Sequence, residues 1–335
     1  MKLKCKLFLP TILTLLLANC TNAQKARIIS TNGYDNCIEL SNKTTRVVLE
    51  PNMGGRVLYY ELKGKNILYI DKQQDGQKGR KLEIPTEPCG GRFLFGPEKT
   101  LGERELYMFG EWTGEITGEY SAKLISKVDP KYGIRIVREF ELDPNSSYVK
   151  MTQTMINESD KEQRYYYWSR VFAKGGGIAY VPLNPHSRFP KGYALYGPTN
   201  PKNVIFYKPD DEPNIKKREG ILEVIDTPTL PKFGFDASEG WLAYISKDDL
   251  LFITKFDIEP KEMYGDLLAN TSSIWYYKDI VCEIEPIGPV AVMQPGDSSS
   301  FSEHWYLYDY AYPKDKKADL GGLREMIEKS VIPGN

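Results

Sequence analysis

Ile134-Arg135-Ile136-Val137-Arg138-Glu139-Phe140-Glu141-Leu142, the turn Asp143-Pro144-Asn145, then Val149-Lys150-Met151-Thr152-Gln153-Thr154-Met155: this stretch decides the fold. Side chains of a β-strand alternate between two faces, so apolar residues two apart mark a strand with one buried face. Ile134 and Ile136, then Phe140 and Leu142, follow that period, and Val149, Met151, Gln153 and Met155 share one face of the next strand. Between Val137 and Arg138 the alternation slips, which predicts a β-bulge. The same period returns at Val47 and Leu49, at Trp241, Ala243 and Ile245, and at Leu250, Phe252, Thr254 and Phe256. It returns again at Ile280, Cys282 and Ile284, and at Phe301, Trp305 and Leu307. Turn residues separate the runs, as in Asn157-Glu158-Ser159-Asp160 and Gln294-Pro295-Gly296-Asp297.

Only the tail has helical spacing: Leu320, Leu323, Met326, Ile327 and Val331 predict a helix from about Asp319 to Ser330. Strands without alternating helices exclude a parallel α/β sheet and point to stacked antiparallel sheets, a large all-β sandwich. Lys208 to Lys232 is rich in proline and charge and reads as a surface excursion or a lid.

The first two dozen residues stand outside this pattern. Lys2, Lys4 and Lys6 precede a largely apolar run from Leu7 to Leu17, the layout of a secretory signal too short to span a membrane. Two ends fit it. Cleavage after Ala23 is one; the lipobox-like run Leu17-Ala18-Asn19-Cys20, with Cys20 carrying a lipid anchor, is the other. Both place the protein in the periplasm or on the outer membrane of a bacterium. Residues 1–23 are read as this signal, and residues 24–335 as a single β domain. The formal charge of the whole chain is −1, and removing three lysines makes it more negative. No basic stretch suits nucleic acid. Cys37, Cys89 and Cys282 are too few and too widely spaced for a disulfide framework or a zinc site, so they read as small buried residues with one bridge left open.

Two Gly-Gly-Arg turns stand out, Asn52-Met53-Gly54-Gly55-Arg56 and Cys89-Gly90-Gly91-Arg92, each leading into apolar residues. Paired glycines permit positive φ and close backbone approach. The arginine after such a turn is either a grip for an anion or for hydroxyls, or an ordinary strand-edge residue.

With these turns in view, the chain resembles the galactose-mutarotase-like superfamily, and an exported bacterial branch of it. Asn52–Arg56 is similar to its early Gly-Arg strand, and Gly90-Gly91-Arg92 with Pro97-Glu98 to a Gly-Gly-x…Pro-Glu segment. Tyr165-Tyr166-Tyr167-Trp168-Ser169-Arg170-Val171-Phe172 resembles its aromatic strand. Cys282-Glu283-Ile284-Glu285-Pro286, Gln294-Pro295-Gly296, Phe301 and Trp305 resemble its glutamate strand, Pro-Gly turn and final Trp strand. The resemblance spans nearly the whole chain beyond the signal. It implies an antiparallel β-supersandwich with a short C-terminal helix. In aldose 1-epimerases of that superfamily a histidine on the aromatic strand is the acid and a late-strand glutamate the base. This chain keeps Glu283 and Glu285 but has Tyr167, Trp168 and Arg170 where the histidine is expected; beyond them it has only His186 and His304.

Glu283 and Glu285 share one face of a strand, roughly 6–7 Å apart, as a base or as a solvated pair. His186 sits in the rigid loop Pro182–Pro190, where a functional group is at home. His304 reads as a hydrogen-bonded strand histidine. Trp112, Tyr166, Trp168, Trp241 and Trp275 are candidate sugar platforms or core residues. Together Arg56, Arg92 and Arg170 suit a carboxylate such as that of a uronic acid. The expectation is therefore an enzyme of acidic oligosaccharides working by β-elimination. Its catalytic set is His186, Glu283, Arg170 and Tyr167; its substrate-binding set is Arg56, Arg92, Glu98, Trp112, Trp168 and Glu285. No metal and no cofactor is called for. An aldose 1-epimerase and a non-catalytic carbohydrate-binding protein are the alternatives.

Overall fold

The alternation of the 134–155 hairpin becomes a pair of neighbouring strands whose buried residues face a second sheet. The computed structural model describes residues 25–81, 89–102, 104–199 and 202–331. The segment read as a signal, with Cys20, lies outside them.

Two antiparallel sheets stack face to face. The first runs, neighbour to neighbour, through Arg27–Thr31, Tyr34–Ser41, Thr45–Glu50, Arg56–Leu62, Gly91–Gly96, Gln163–Lys174, Val281–Met293, Ser272–Tyr277, Lys232–Phe235, Ala194–Thr199 and Lys202–Phe206. The short Lys65–Asn66 strand pairs with Arg56–Leu62. The second runs through Ile215–Arg218, Ile221–Val224, Ile178–Pro182, Trp241–Ile245, Leu250–Phe256, Ser298–Asp309, Val149–Asn157, Ile134–Leu142, Ser121–Ile125 and Thr113–Gly118. This is the all-β supersandwich expected. Between the sheets lies the main apolar core, with Leu40, Val47, Phe93, Phe95, Met151, Tyr167, Phe252, Ile284, Phe301 and Trp305 among its members.

The outer face of the second sheet buries Tyr180, Trp241, Ala243, Ile253 and Tyr306 under the C-terminal helix Leu320–Lys329. Asp319 caps that helix by accepting from the Gly321 amide at 3.1 Å, and Leu320, Leu323 and Ile327 turn inward. The excursion from Lys208 carries two strands of its own, Ile215–Arg218 and Ile221–Val224, so it is an edge of the second sheet rather than a lid. Cys37, Cys89 and Cys282 are buried and unbridged.

The bulge predicted at Val137-Arg138 is absent. Ile134–Leu142 keeps unbroken register with both neighbours, and Arg138 simply occupies the next inward position. An arginine had been read as a break in the pattern because charged residues seldom sit between sheets. Here it is fully buried, and its Nη1 donates to the carbonyls of Gly55 at 2.6 Å and Gly91 at 3.3 Å. Glu303 lies in the same interior, accepting from Gln153 Nε2 at 2.6 Å and Trp305 Nε1 at 3.2 Å. Burial raises the pKa of Glu303, while its donors and Arg138 draw it back down.

Removing a buried donor leaves its acceptors unsatisfied, at a cost of about 1–3 kcal/mol and more where a charge is involved. Arg138→Met should lose stability on that scale in a urea titration, and adding Glu303→Leu should restore a large part. A single variant as stable as the parent would show that the interior charges do not depend on each other.

Candidate active site

The opposite face of the first sheet carries the other buried charges. Cross-strand partners in antiparallel strands point to the same side. The register sets Tyr196 opposite Lys232, Lys232 opposite Trp275, Trp275 opposite Glu283 and Glu283 opposite Phe172. One row over, Ser273 pairs with Glu285. Cys282 and Ile284 point into the core, which sends Glu283 and Glu285 outward together. They are nonetheless buried, because the Arg104–Gly110 stretch and the Glu259–Asn270 segment come over this face: Arg104 reaches Trp168 from one, Asp266 reaches Tyr166 from the other.

The floor is a network of charge-assisted bonds. Arg170 Nε donates to Glu283 Oε1 at 2.6 Å. Glu285 accepts from Lys232 Nζ, from Ser273 Oγ, and from Trp168 Nε1 at 3.2 Å. The Trp168 ring has the Arg170 guanidinium at 4.4 Å from its centroid and that of Arg104 at 5.6 Å. Arg104 in turn donates to the Phe95 carbonyl at 2.5 Å. Arg92, the cross-strand partner of Arg170, donates to the Met108 carbonyl at 2.6 Å.

Two adjacent buried carboxylates cannot both ionise freely. Burial and the negative charge of Glu285 push Glu283 well above the usual carboxylate range, against the pull of Arg170. Glu285 is also penalised by burial, but Lys232 and the hydrogen bond from Glu283 hold it below that range. Of the two, Glu283 is therefore the one that holds a proton more readily. A third carboxyl joins them. Asp266 accepts from Tyr166 Oη at 2.9 Å and is only half-buried; burial raises its pKa to about 6, against the pull of Tyr166 and Lys232. Among the described residues no group of three or more His, Cys, Asp or Glu is arranged to hold a metal ion.

The structure brings Arg92, Trp168, Arg170, Glu283 and Glu285 together and separates the rest. Arg56 is on the strand next to Arg92, but it is sealed in: fully buried, it donates to Glu50 at 3.0 Å, Gln74 Oε1 at 2.9 Å and Tyr34 Oη at 2.9 Å. It holds the turn. Tyr167 points the other way, into the core, stacked on Phe301 at 5.4 Å, and burial raises its pKa far above the usual phenol range. Trp112 is also core, lying against Gly55 so tightly that a Cβ there would come within 2.6 Å of the indole. His186 is exposed, in a groove of about 470 Å³ with Asn184, Arg188, Asp236 and Glu262, a lining that includes neither Arg170 nor Glu283. Glu98 opens the short helix Glu98–Leu101; its side chain lies outside the described residues. His304 is a strand histidine, hydrogen-bonded through Nδ1 to Tyr148 Oη at 2.9 Å.

Asp266, Lys232 and Arg104 were missed. Asp266 and Arg104 fall in irregular segments where no period places them, and Lys232 sits at the end of the stretch read as an excursion.

No family model matches this chain, and no curated protein does either. Solved structures do match in fold. The Slr1438 protein of Synechocystis sp. PCC 6803 is 17% identical with a TM-score of 0.56, over 84% of this chain and 99% of that one. A protein provisionally assigned as an aldose 1-epimerase from Escherichia coli K12 is 12% identical with a TM-score of 0.54, over 84% and 99%. A galactose mutarotase-like protein from Lactobacillus casei ATCC 334 is 10% identical with a TM-score of 0.55, over 81% and 100%. The chain thus has the galactose mutarotase-like fold across most of its length.

The raised pKa of Asp266 has a signed consequence for stability. Its neutral form fits the folded site better than its ionised form, so the contribution is whole below about pH 4 and lost as pH rises through about 6. Asp266→Asn should flatten the fall in melting temperature across that window. An unchanged slope in the variant would place the titration on another group.

Proposed function

We propose that this protein is an acid–base enzyme of aldose sugars that interconverts their anomers, with Asp266 as base and the protonated Glu283 as acid. The observation that carries the reading is the meeting of three carboxyls of unequal proton affinity over one floor. Carboxyls driven apart in this way are suited to opposite roles. Anomer exchange needs two proton transfers. A base takes the proton from the O1 hydroxyl as the bond between C1 and the ring oxygen breaks, and an acid gives a proton to the ring oxygen. The open-chain aldehyde turns about its C1–C2 bond, and closure returns both protons. Nothing is oxidised, and no group leaves.

In this scheme Glu285 stays ionised under its three donors and keeps the proton on Glu283. Tyr166 orients Asp266. Lys232 and Arg170 offset negative charge on the floor. Fold likeness to a provisionally assigned aldose 1-epimerase supports the same class. The β-elimination reading depends on arginines free to neutralise a uronate carboxylate. Arg170 instead donates its Nε to Glu283, and Arg56 is sealed against Glu50, away from this floor. Elimination is therefore the weaker reading. The leader at residues 1–23 is the basis for setting this activity outside the cytoplasm.

Purified protein would be added to freshly dissolved α-D-galactose and α-D-glucose, and the approach to anomeric equilibrium followed by polarimetry. Acceleration should be seen, and Asp266→Asn and Glu283→Gln should each reduce it by roughly 100-fold or more. The rate should rise with pH through about 6, as Asp266 loses its proton. Full rates in both variants would overturn the roles. Absorbance from a conjugated unsaturated product on oligogalacturonate, with no effect on aldoses, would overturn the reaction in favour of elimination.

A further inference from the structure

Six aromatic side chains share the outward face of this floor: Tyr166, Trp168, Phe172, Tyr196, Trp275 and Tyr277. Four are closed off. Tyr166, Phe172 and Tyr196 are buried, and Trp168 is 4% exposed with two guanidinium groups against its ring. Trp275 is partly exposed, and Tyr277, at the strand's end, is exposed. Trp275 sits between Lys232 and Glu283 in the register, beside the carboxyl pair.

One face of its indole is backed. Tyr277, two residues on and on the same side of the strand, stacks against it with centroids 5.4 Å apart and planes 8° from parallel. Lys278 Nζ lies 5.1 Å from the Tyr277 ring. A run of cation, phenol and indole braces Trp275 and fixes the ring's tilt. Aromatic rings held in this way are the usual partners of the C–H-rich face of a sugar ring, since they offer large contact area with few rotors to freeze.

We propose that Trp275 is the residue on which the reacting sugar ring stacks, with Tyr277 as its brace. The inference rests on the sugar-handling reading above and assigns its binding surface. A stacking residue holds ground state and transition state alike, so its loss raises KM and leaves kcat nearly unchanged. That pattern separates it from Asp266, whose loss lowers kcat.

Wild type, Trp275→Ala, Trp275→Phe and Tyr277→Ala would be titrated with D-galactose, D-glucose, D-xylose and L-arabinose. Binding would be read by tryptophan fluorescence and by calorimetry, and turnover by polarimetry. Trp275→Ala should weaken binding about tenfold and abolish the sugar-induced fluorescence change; Trp275→Phe should recover part of the affinity. Tyr277→Ala should fall between them. Equal affinity in wild type and Trp275→Ala, or no binding of any of the four sugars to wild type, overturns the assignment. The proposed reaction fails separately: full turnover in Asp266→Asn, with weakened binding in Trp275→Ala, removes the catalytic roles and leaves the stacking surface standing.

Discussion

One buried guanidinium holds the two sheets in the relation everything else requires. Arg138 comes from the second sheet and donates to Gly55 and Gly91, one carbonyl from each Gly-Gly-Arg turn of the first. A carbonyl with no nearby side chain is what a bulky donor needs to approach. Gly55, at φ 56°, lies under the Trp112 ring, and Gly90, at φ 67°, would place a Cβ 2.4 Å from the Val57 carbonyl. The twin motif is thus explained first by packing: both turns are clamped by the same arginine. Glu303, with Gln153 and Trp305, keeps that charge from standing alone.

The clamp sets what the other side of the sheet can present. Each turn leads directly into a strand whose first arginine points outward. Arg56 is then locked by Glu50. Arg92 lines up beside Arg170, next to the carboxyl pair. Two layers of buried charge result, separated by one sheet. In the inner layer every group serves cohesion. In the outer layer Arg170, Lys232, Glu283 and Glu285 hold one another, and the half-buried Asp266 and the partly exposed Trp275 remain within reach of a ligand.

Much of the architecture was legible because a half-buried strand writes its own period. Val149 to Met155, Leu250 to Phe256 and the Leu320–Lys329 helix all follow the periods expected of them. The same rule located Glu283 and Glu285 on the face opposite Cys282 and Ile284. It failed at Arg138, where a charged residue at an inward position mimics a slipped register. It also could not rank the arginines or the aromatics. Arg56 and Arg92 share a motif, and Trp112, Tyr167 and Trp275 share a composition; only burial and partners set them apart. Asp266 lies in an irregular segment, where no spacing announces a carboxyl folding back over a sheet.

The absent histidine on the aromatic strand changes where protons can reside. Imidazole exchanges a proton near neutrality; guanidinium does not. With Arg170 in the Gln163–Lys174 strand, the strand supplies fixed positive charge, and any proton transfer must fall to neighbouring groups. Arg170 pulls Glu283 toward ionisation while Glu285 and burial push it the other way, and the push prevails. The effect of the arginine is therefore to hold a protonated carboxyl in place. In the proposed scheme acid and base are both carboxyls, distinguished by their partners: Arg170 and Glu285 around Glu283, Tyr166 and Lys232 around Asp266. A site built this way depends on its outer ring of donors more than on any one residue's intrinsic pKa, which is why the bonds at Lys232, Ser273 and Trp168 belong to its chemistry as much as the carboxyls do.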